Sequence, residues 1–489
     1  MKIDKNRETV LLFILLINVF SFQLMAQKNN KTKANDPLKN ETAAIIQSGY
    51  DNYKKIALSI WDYAELGYKE NKSSALLQNT LKDNGFTVEE GVAGMPTAFV
   101  ASYGSGTPVI AILAEYDALP GLSQDNSTTK NPITNKNSGH ACGHHLFGTG
   151  SVAAGIAIKK LLEKGKLKGT IKVFGCPAEE GGSGKVYLVR AGLFNDVDIA
   201  FHWHPSSGNG VAFTSALANK SAKFRFYGIA SHASVSPEKG RSALDGVEAM
   251  DNMTNMMREH IPQETQIHYV ITNGGKAPNV VPEFAEVYYY VRHPEKTVVA
   301  AVFDRIVKAA EGAALGTETK MDFEVIGGTH DLLINKTLAN IMQSNLEKVG
   351  GVIYNAEQII YAKKMQESFS GKYNSVASAA IIQPAQTGKI SGSTDVGDVS
   401  YAIPTVGVET ATWVPGTSPH SWQAVSCGGT DIGIKGLIVA AKTMAFTAID
   451  LFTNPELIKK AKEEFTQSKG DYQYKALLGD RKPALNYRD

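Results

Sequence analysis

The sequence predicts an α/β protein whose largely parallel sheet is interrupted by a β-α-β-β-α-β unit. Three observations lead there. From Thr42 to about Ala218, short apolar runs alternate with stretches of helical periodicity. Up to Gly328 the pattern becomes four half-polar strands and two helices, in the order of a split ferredoxin-like unit. Helix–strand alternation then returns in "NKTLANIMQSNLEKVG", "PTVGVET" and "TDIGIKGLIVAAKTMAFTAIDLF". Strands that alternate with helices imply a parallel sheet covered on both faces.

The elements follow in order. Lys2, Lys5 and Arg7 precede the apolar run "VLLFILLINVF", and Ala26 is a small residue suited to cleavage. This is the pattern of a secretory signal, and the run is short for a membrane span. Residues 1–26 are therefore expected to be a signal peptide, with export to the periplasm or the exterior and no stable membrane insertion afterwards. Residues 27–41 are polar and read as a flexible leader. "AAIIQSGYDNYKKIALSIWDYAEL" has helical spacing. "PVIAILAEYDALPG", "GTIKVFGCPAEEGGSG" and "DVDIAFHWHP" are apolar strands, and "SVAAGIAIKKLLEKG" is a helix rich in small residues. In the inserted unit, "KSAKFRFYG", "TQIHYVITNGG", "EFAEVYYYVRH" and "KMDFEVIGG" are strands. "SALDGVEAMDNMTNMMREHI" and "KTVVAAVFDRIVKAAEGAALG" are its helices. The expected boundaries are 42–218 and 329–489 for the two parts of the main domain and 219–328 for the insertion.

Composition narrows the function. With 489 residues, 43% hydrophobic and 20% charged, the chain is long enough for two cores and ordinary for a soluble protein. A net charge of +2 gives no reason to expect nucleic acid or an anionic membrane as partner. Three Cys cannot form a disulfide framework. Cys176 and Cys427 read as packing residues.

The chemistry concentrates at predicted strand ends. "GHACGHHLFGTG" holds His140, Cys142, His144 and His145 within six residues. Glu115 and Asp117 end one strand, Glu179 and Glu180 another, and His202 and His204 a third. In an α/β sheet, ligands bind beyond the carboxyl ends of the strands, so these groups can converge. Thiolate, imidazole and carboxylate are ordinary ligands for divalent transition metals. Of the adjacent Glu179 and Glu180, one can ligate while the other acts as a base. Two rival readings remain. Cys142 can be a nucleophile activated by His140 or His144, which leaves the glutamates and His204 idle. Alternatively the chain is a non-catalytic protein with a closed structural metal site, which leaves the spare glutamate unexplained.

The ordered motifs "EYDALPG", "GHACGH", "PAEEGGSGK", "SHAS", "APNVVPE" and "GSTDVGDVSY" resemble those of the dinuclear metal amidohydrolases that include aminoacylases and carboxypeptidases. They are most similar to the aminobenzoyl-glutamate hydrolase branch, and the resemblance covers nearly everything after residue 41. It implies a zinc-peptidase-like α/β catalytic domain with an inserted ferredoxin-like dimerisation domain. It also implies two divalent metal ions, zinc or manganese, and a homodimer. Cys142 resembles the bridging ligand, with His144, Glu180, His204 and His420 the other ligands. Glu179 resembles the general base, and Asp117 the residue that orients the site. His232 resembles a histidine that reaches the partner's active site. Asn279 and Arg292 resemble groups that hold the substrate carboxylate. The implied substrate is a small amide with a free carboxylate: an N-acyl amino acid, an aminobenzoyl-glutamate-like conjugate or a dipeptide. Relatives often carry Asp or Asn where this chain has His145, so His145 and His202 stand as alternative ligands.

Overall fold

Thirteen strands occur in the computed structural model, which describes residues 36–211, 213–385 and 391–488. They are β1 (Thr87–Glu90), β2 (Phe99–Ser105), β3 (Val109–Glu115), β4 (Leu119–Pro120), β5 (Ser138–Gly139), β6 (Gly169–Cys176), β7 (Ile199–Ser206), β8 (Gly210–Val211), β9 (Ala218–Tyr227), β10 (Gln266–Asn273), β11 (Phe284–His293), β12 (Lys320–Thr329) and β13 (Thr405–Ala411). The main sheet has the order β1-β2-β6-β3-β7-β13-β8. Its centre, β6-β3-β7-β13, is parallel. β1, β2 and β8 pair antiparallel at the margins.

Period-two alternation sends successive side chains of each strand to opposite faces. Ile110, Ile112 and Ala114 of β3 join one apolar core, and Val109, Ala111 and Leu113 join the other. Every residue of β3 is buried, as expected for a strand with helices on both faces. Helices His144–Glu163 and Asp431–Thr453 fill the first face, together with Pro37–Ser48, Tyr50–Tyr63 and Lys336–Val349. Helices Gly184–Arg190 and Val396–Ala402 lie on the second.

The inserted unit forms a separate antiparallel sheet in the order β10-β11-β9-β12. Strand β11 alternates between half-exposed and buried residues along its whole length. Its inward residues Ala285, Val287, Tyr289 and Val291 pack on the helices Ala243–Met257 and Lys296–Gly316. The ferredoxin-like order read from the sequence is the order observed.

Three sequence expectations need correction. The flexible leader, expected to run to residue 41, ends earlier: a helix begins at Pro37, capped by the Asp36 side chain. Its Lys39 is buried and bonds Asn345, which ties the segment to the core. The single helix expected from Ala43 breaks into two around Gly49. The strands β1 and β2 have no counterpart among the expected elements; β1 is a largely exposed, acidic four-residue edge strand with no apolar run to announce it. The expected signal peptide lies outside the described residues.

Candidate metal and hydrolytic centre

The parallel strands deliver the candidate residues to one end of the sheet. Glu115 is the last residue of β3, and Asp117 follows it. β6 leads into the Glu179–Glu180 turn, and β7 carries His202 and His204 near its end. Cys142 and His144 sit at the start of the helix His144–Glu163. Gly143, between them, has φ 79°, and a Cβ there would lie 2.6 Å from Pro205. Only glycine permits both this backbone and this approach. His420 comes from a distant loop and is held by its own N–H, which donates to the Ala141 carbonyl at 3.0 Å. Its φ of 56° lies in the left-handed region, a strained state that tends to mark functional positions.

The side chains converge tightly. Cys142 Sγ is 3.3 Å from His204 Nε2. His204 Nδ1–H donates to the Pro205 carbonyl at 2.7 Å, which leaves Nε2 facing the thiol. His144 Nδ1 meets Asp117 Oδ1 at 2.8 Å, and its Nε2 lies 3.1 Å from Glu115 Oε2. The other Asp117 oxygen accepts the Glu180 N–H at 2.8 Å. His420 Nε2 is 3.2 Å from Glu180 Oε1. Two sets of ligand-type atoms, Cys142/His144/His204 and Cys142/Glu180/His420, each lie within 4.8 Å of one another and share the cysteine. Glu179 belongs to neither set; it groups with Glu115 and His144.

These residues fit divalent cations. Glu115 Oε2, His144 Nε2 and Glu180 Oε1 are buried and make no well-aligned hydrogen bond among the described residues. Around them stand the carboxylates of Glu115, Asp117, Glu179, Glu180 and Asp395. The buried Lys185 ammonium balances part of this charge, at 2.6 Å from both Glu115 and Asp395. Burial disfavours a charged His144, yet Cys142, Asp117 and Glu115 outweigh it and raise its pKa well above the usual value. Burial, then Glu115 and Glu180, push Glu179 well above the carboxylate range. For Asp117 burial is outweighed by His144 and the Glu180 amide, which hold its pKa low. Five carboxylates facing one buried ammonium leave an excess of negative charge that suits divalent cations.

The remaining candidates fall elsewhere. His145 turns away from the cluster, with Nε2 3.1 Å from the Gly428 carbonyl, and burial depresses its pKa to about 3. His140 packs against it with ring centroids 4.8 Å apart and bonds the Ile60 carbonyl at 3.0 Å. Both are core histidines. His202 borders the cavity, but its buried Nε2 points at Gly407 of β13. Cys176 and Cys427 are buried in the apolar cores. His232 and Asn279 are exposed at one end of the inserted sheet, where His232 bridges Val280 and Asn279 accepts from Ala233 N–H at 3.1 Å. Arg292 is at the opposite end of β11, opposite Asn219 of β9. The strand's 10 residues separate the two ends by roughly 30 Å.

Sequence reasoning misses two supports. Lys185 and Asp395 form the buried ion pair beside Glu115, and Glu70, also buried, accepts the Ala178 N–H at 2.8 Å. "PAEEGGSGK" and "GSTDVGDVSY" stand out as motifs, and a Lys in one with an Asp in the other is the available signal.

A cavity of about 480 Å³ opens over the cluster. Phe147 and Trp413 give it apolar walls, and Ser206, Ser215 and Ser393 give it polar ones. Among the described residues lining it there is no Lys or Arg.

Comparison with known proteins adds an independent line. Residues 111–423 match the model of peptidase family M20/M25/M40. The chain is 42% identical to one of the p-aminobenzoyl-glutamate hydrolase subunits of Escherichia coli K12, over 86% of this chain and 93% of that protein. It is 28% identical to the Xaa-Arg dipeptidase of Mus musculus, over 88% of this chain and 92% of that one. Among solved structures, a dinuclear metal-binding peptidase from Bacillus subtilis superposes with TM-score 0.58 at 18% identity, covering 83% of this chain and 99% of its own. An aminobenzoyl-glutamate utilization protein from Klebsiella pneumoniae gives TM-score 0.58 at 18% identity, covering 83% and 97%. At these identities the structural matches speak for the fold alone.

Proposed function

Because the chain belongs to peptidase family M20/M25/M40 and is a metal-dependent hydrolase of amide bonds, we propose a division of labour among the converged residues. Cys142, His144 and His204 would hold one ion, and Cys142, Glu180 and His420 the other. The carrying observation is that the two ligand sets share Cys142 and leave Glu179 free beside them. The ions, zinc or manganese, would supply a lowered water pKa and polarisation of the scissile carbonyl. Glu179 takes the proton of the attacking water onto a carboxylate oxygen and hands it to the departing amide nitrogen. Asp117 fixes the His144 ring through Nδ1, as a carboxylate behind a ligating imidazole commonly does.

The cavity supports a substrate whose acid group is bound by other residues. Among its described lining residues there is no Lys or Arg, which favours a cation for a free carboxylate from the inserted domain. Arg292 supplies it, and His232 and Asn279 lie too far along the sheet to join Arg292 within one chain. They reach the cavity of a second copy, which makes the assembly a homodimer with His232 stabilising the oxyanion in trans. Substrates are N-acyl amino acids with a free α-carboxylate, including p-aminobenzoyl-glutamate, the compound in the name of the Escherichia coli relative. Dipeptides form the second class, in keeping with the name of the mouse relative. The basic, apolar N-terminal segment supports export. A thiol mechanism is disfavoured because it leaves Glu180, His204 and His420, which group around Cys142, without a role.

A panel of free-acid N-acyl amino acids, their amides and dipeptides tests this reading, with chelator and then zinc or manganese added. Metal-restored release of amine from the free acids is expected. Equal turnover of acids and amides would refute the carboxylate requirement.

A further inference from the structure

The turn that carries Glu179 and Glu180 is not held by regular structure. Ala178 and Ser183 have φ of 55° and 59°, and Glu180 and Gly181 depart from helical angles between them. Such a turn persists only when its surroundings impose it. Four ties do so. Glu70 accepts the Ala178 N–H at 2.8 Å, and Asp117 accepts the Glu180 N–H at 2.8 Å. Tyr68 Oη donates to the Gly182 carbonyl at 2.7 Å. The fourth comes from the last described residues: Tyr487 Oη donates to the Glu180 carbonyl at 3.0 Å, and Arg488 donates to the same oxygen.

The segment delivering that fourth tie is anchored along its length. Tyr472 Oη meets His330 Nε2 at 2.7 Å, and Tyr474 Oη donates to Asp398 at 2.7 Å. Arg481 donates to the Ile326 carbonyl of β12 at 2.8 Å and to Glu324 at 3.0 Å, so the segment also grips the inserted sheet. Tyr487 then packs edge-on against Tyr68 at 5.6 Å, with the Arg488 guanidinium 4.7 Å from its ring. Gly67 makes the room: a Cβ there would lie 2.2 Å from the Tyr487 hydroxyl.

We propose that residues 471–488 form a strap, and that Tyr487 and Arg488 are positioning residues for the Glu179–Glu180 turn. This rests on the reading that these two glutamates serve the reaction and the metal. Glu180 is held on both sides of its Cα, the 179–180 peptide through its N–H by Asp117 and the 180–181 peptide through its carbonyl by the strap. Losing the carbonyl clamp frees the 180–181 peptide to rotate, which loosens the backbone that aims Glu180 and, through the turn, Glu179. Neither Tyr487 nor Arg488 lines the cavity, so their effect is on the machinery and not on substrate binding.

The test uses the full-length zinc-loaded protein with p-aminobenzoyl-glutamate as substrate and zinc release to a chelator as a second readout. Tyr487→Phe with Arg488→Ala is expected to lower kcat about tenfold or more, the order seen when reacting groups are slightly misplaced. Zinc should be lost to the chelator about ten times more readily, as when residues behind a ligand are removed. KM should stay within about twofold. Arg488→Lys, which can still donate to the carbonyl, should recover most of the loss caused by Arg488→Ala. Wild-type kcat and zinc retention in the double variant, alongside an inactive Glu179→Gln control, would overturn the strap while leaving the site intact. An active Glu179→Gln control would overturn the site reading and the strap with it. Should the double variant fold poorly, the single variants decide: losses that follow melting temperature, without rescue by lysine, would make the strap structural only.

Discussion

Glu179 and Glu180 are neighbours in sequence with different surroundings. Glu180 faces His420 at 3.2 Å, while Glu179 stands by Glu115 and His144. Glu179→Gln should therefore keep its metal and lose about a hundred- to ten-thousandfold in turnover, measured by metal analysis and kcat on the same sample. Glu180→Gln should lose metal instead. A reversed pattern would exchange their roles. Asp117→Asn provides a second check: with the carboxylate behind His144 removed, metal affinity should fall about 10- to 100-fold while the protein stays folded. Chelator competition reads the affinity and circular dichroism the fold. At this scale the sequence is informative about residue types and blind to directions. Four histidine and cysteine groups crowd "GHACGHH", but only the helix start shows that Cys142 and His144 face the cavity side while His140 and His145 turn into the core. No periodicity argument separates them, because ligand and core histidines here are equally buried.

The inserted sheet separates the substrate-binding candidates. Arg292 lies at the end of β11 next to the chain crossings into the main domain, and His232 and Asn279 lie at the far end. A guanidinium grips a carboxylate through two parallel bonds that a Lys cannot reproduce. Arg292→Lys should lower kcat/KM for free-acid substrates roughly 10- to 100-fold and leave turnover of the amides little changed. An early-melting variant with a wild-type acid-to-amide ratio would make Arg292 structural. His232→Ala and Glu179→Gln proteins, each inactive, should regain activity when mixed under conditions that let protomers exchange, because one hybrid site is then complete. Proven hybrids without activity would contradict the trans role. The ferredoxin-like order was legible because β11 and most of β9 alternate on a half-buried sheet and each helix has one apolar face. β1, with one half-buried residue in four, carries no such alternation, and the helix start at Pro37 was hidden among the polar residues of the segment before it.

The molecule as a whole gathers five carboxylates and a thiol at the ends of buried parallel strands, with Lys185 as the buried ammonium among them. That arrangement is incomplete without added positive charge. Metal removal should lower the melting temperature by roughly 3–5 °C, since a ligand at about a hundred times its Kd stabilises by about 2.7 kcal/mol and a domain of this size unfolds with a large entropy. The fold class and the strand-end location of the site were readable from the alternation of elements. The cavity and the ties on the Glu179–Glu180 turn were not, because they join residues up to 308 positions apart. The claim on which the rest depends is that two ions share Cys142 and activate water beside Glu179. Titrating metal-free protein with zinc or manganese while following turnover of a free-acid N-acyl amino acid measures it directly. Activity should be absent at the start, rise with added metal and level off at two equivalents per chain. Full activity in the metal-free protein, abolished by alkylation of Cys142, would contradict it.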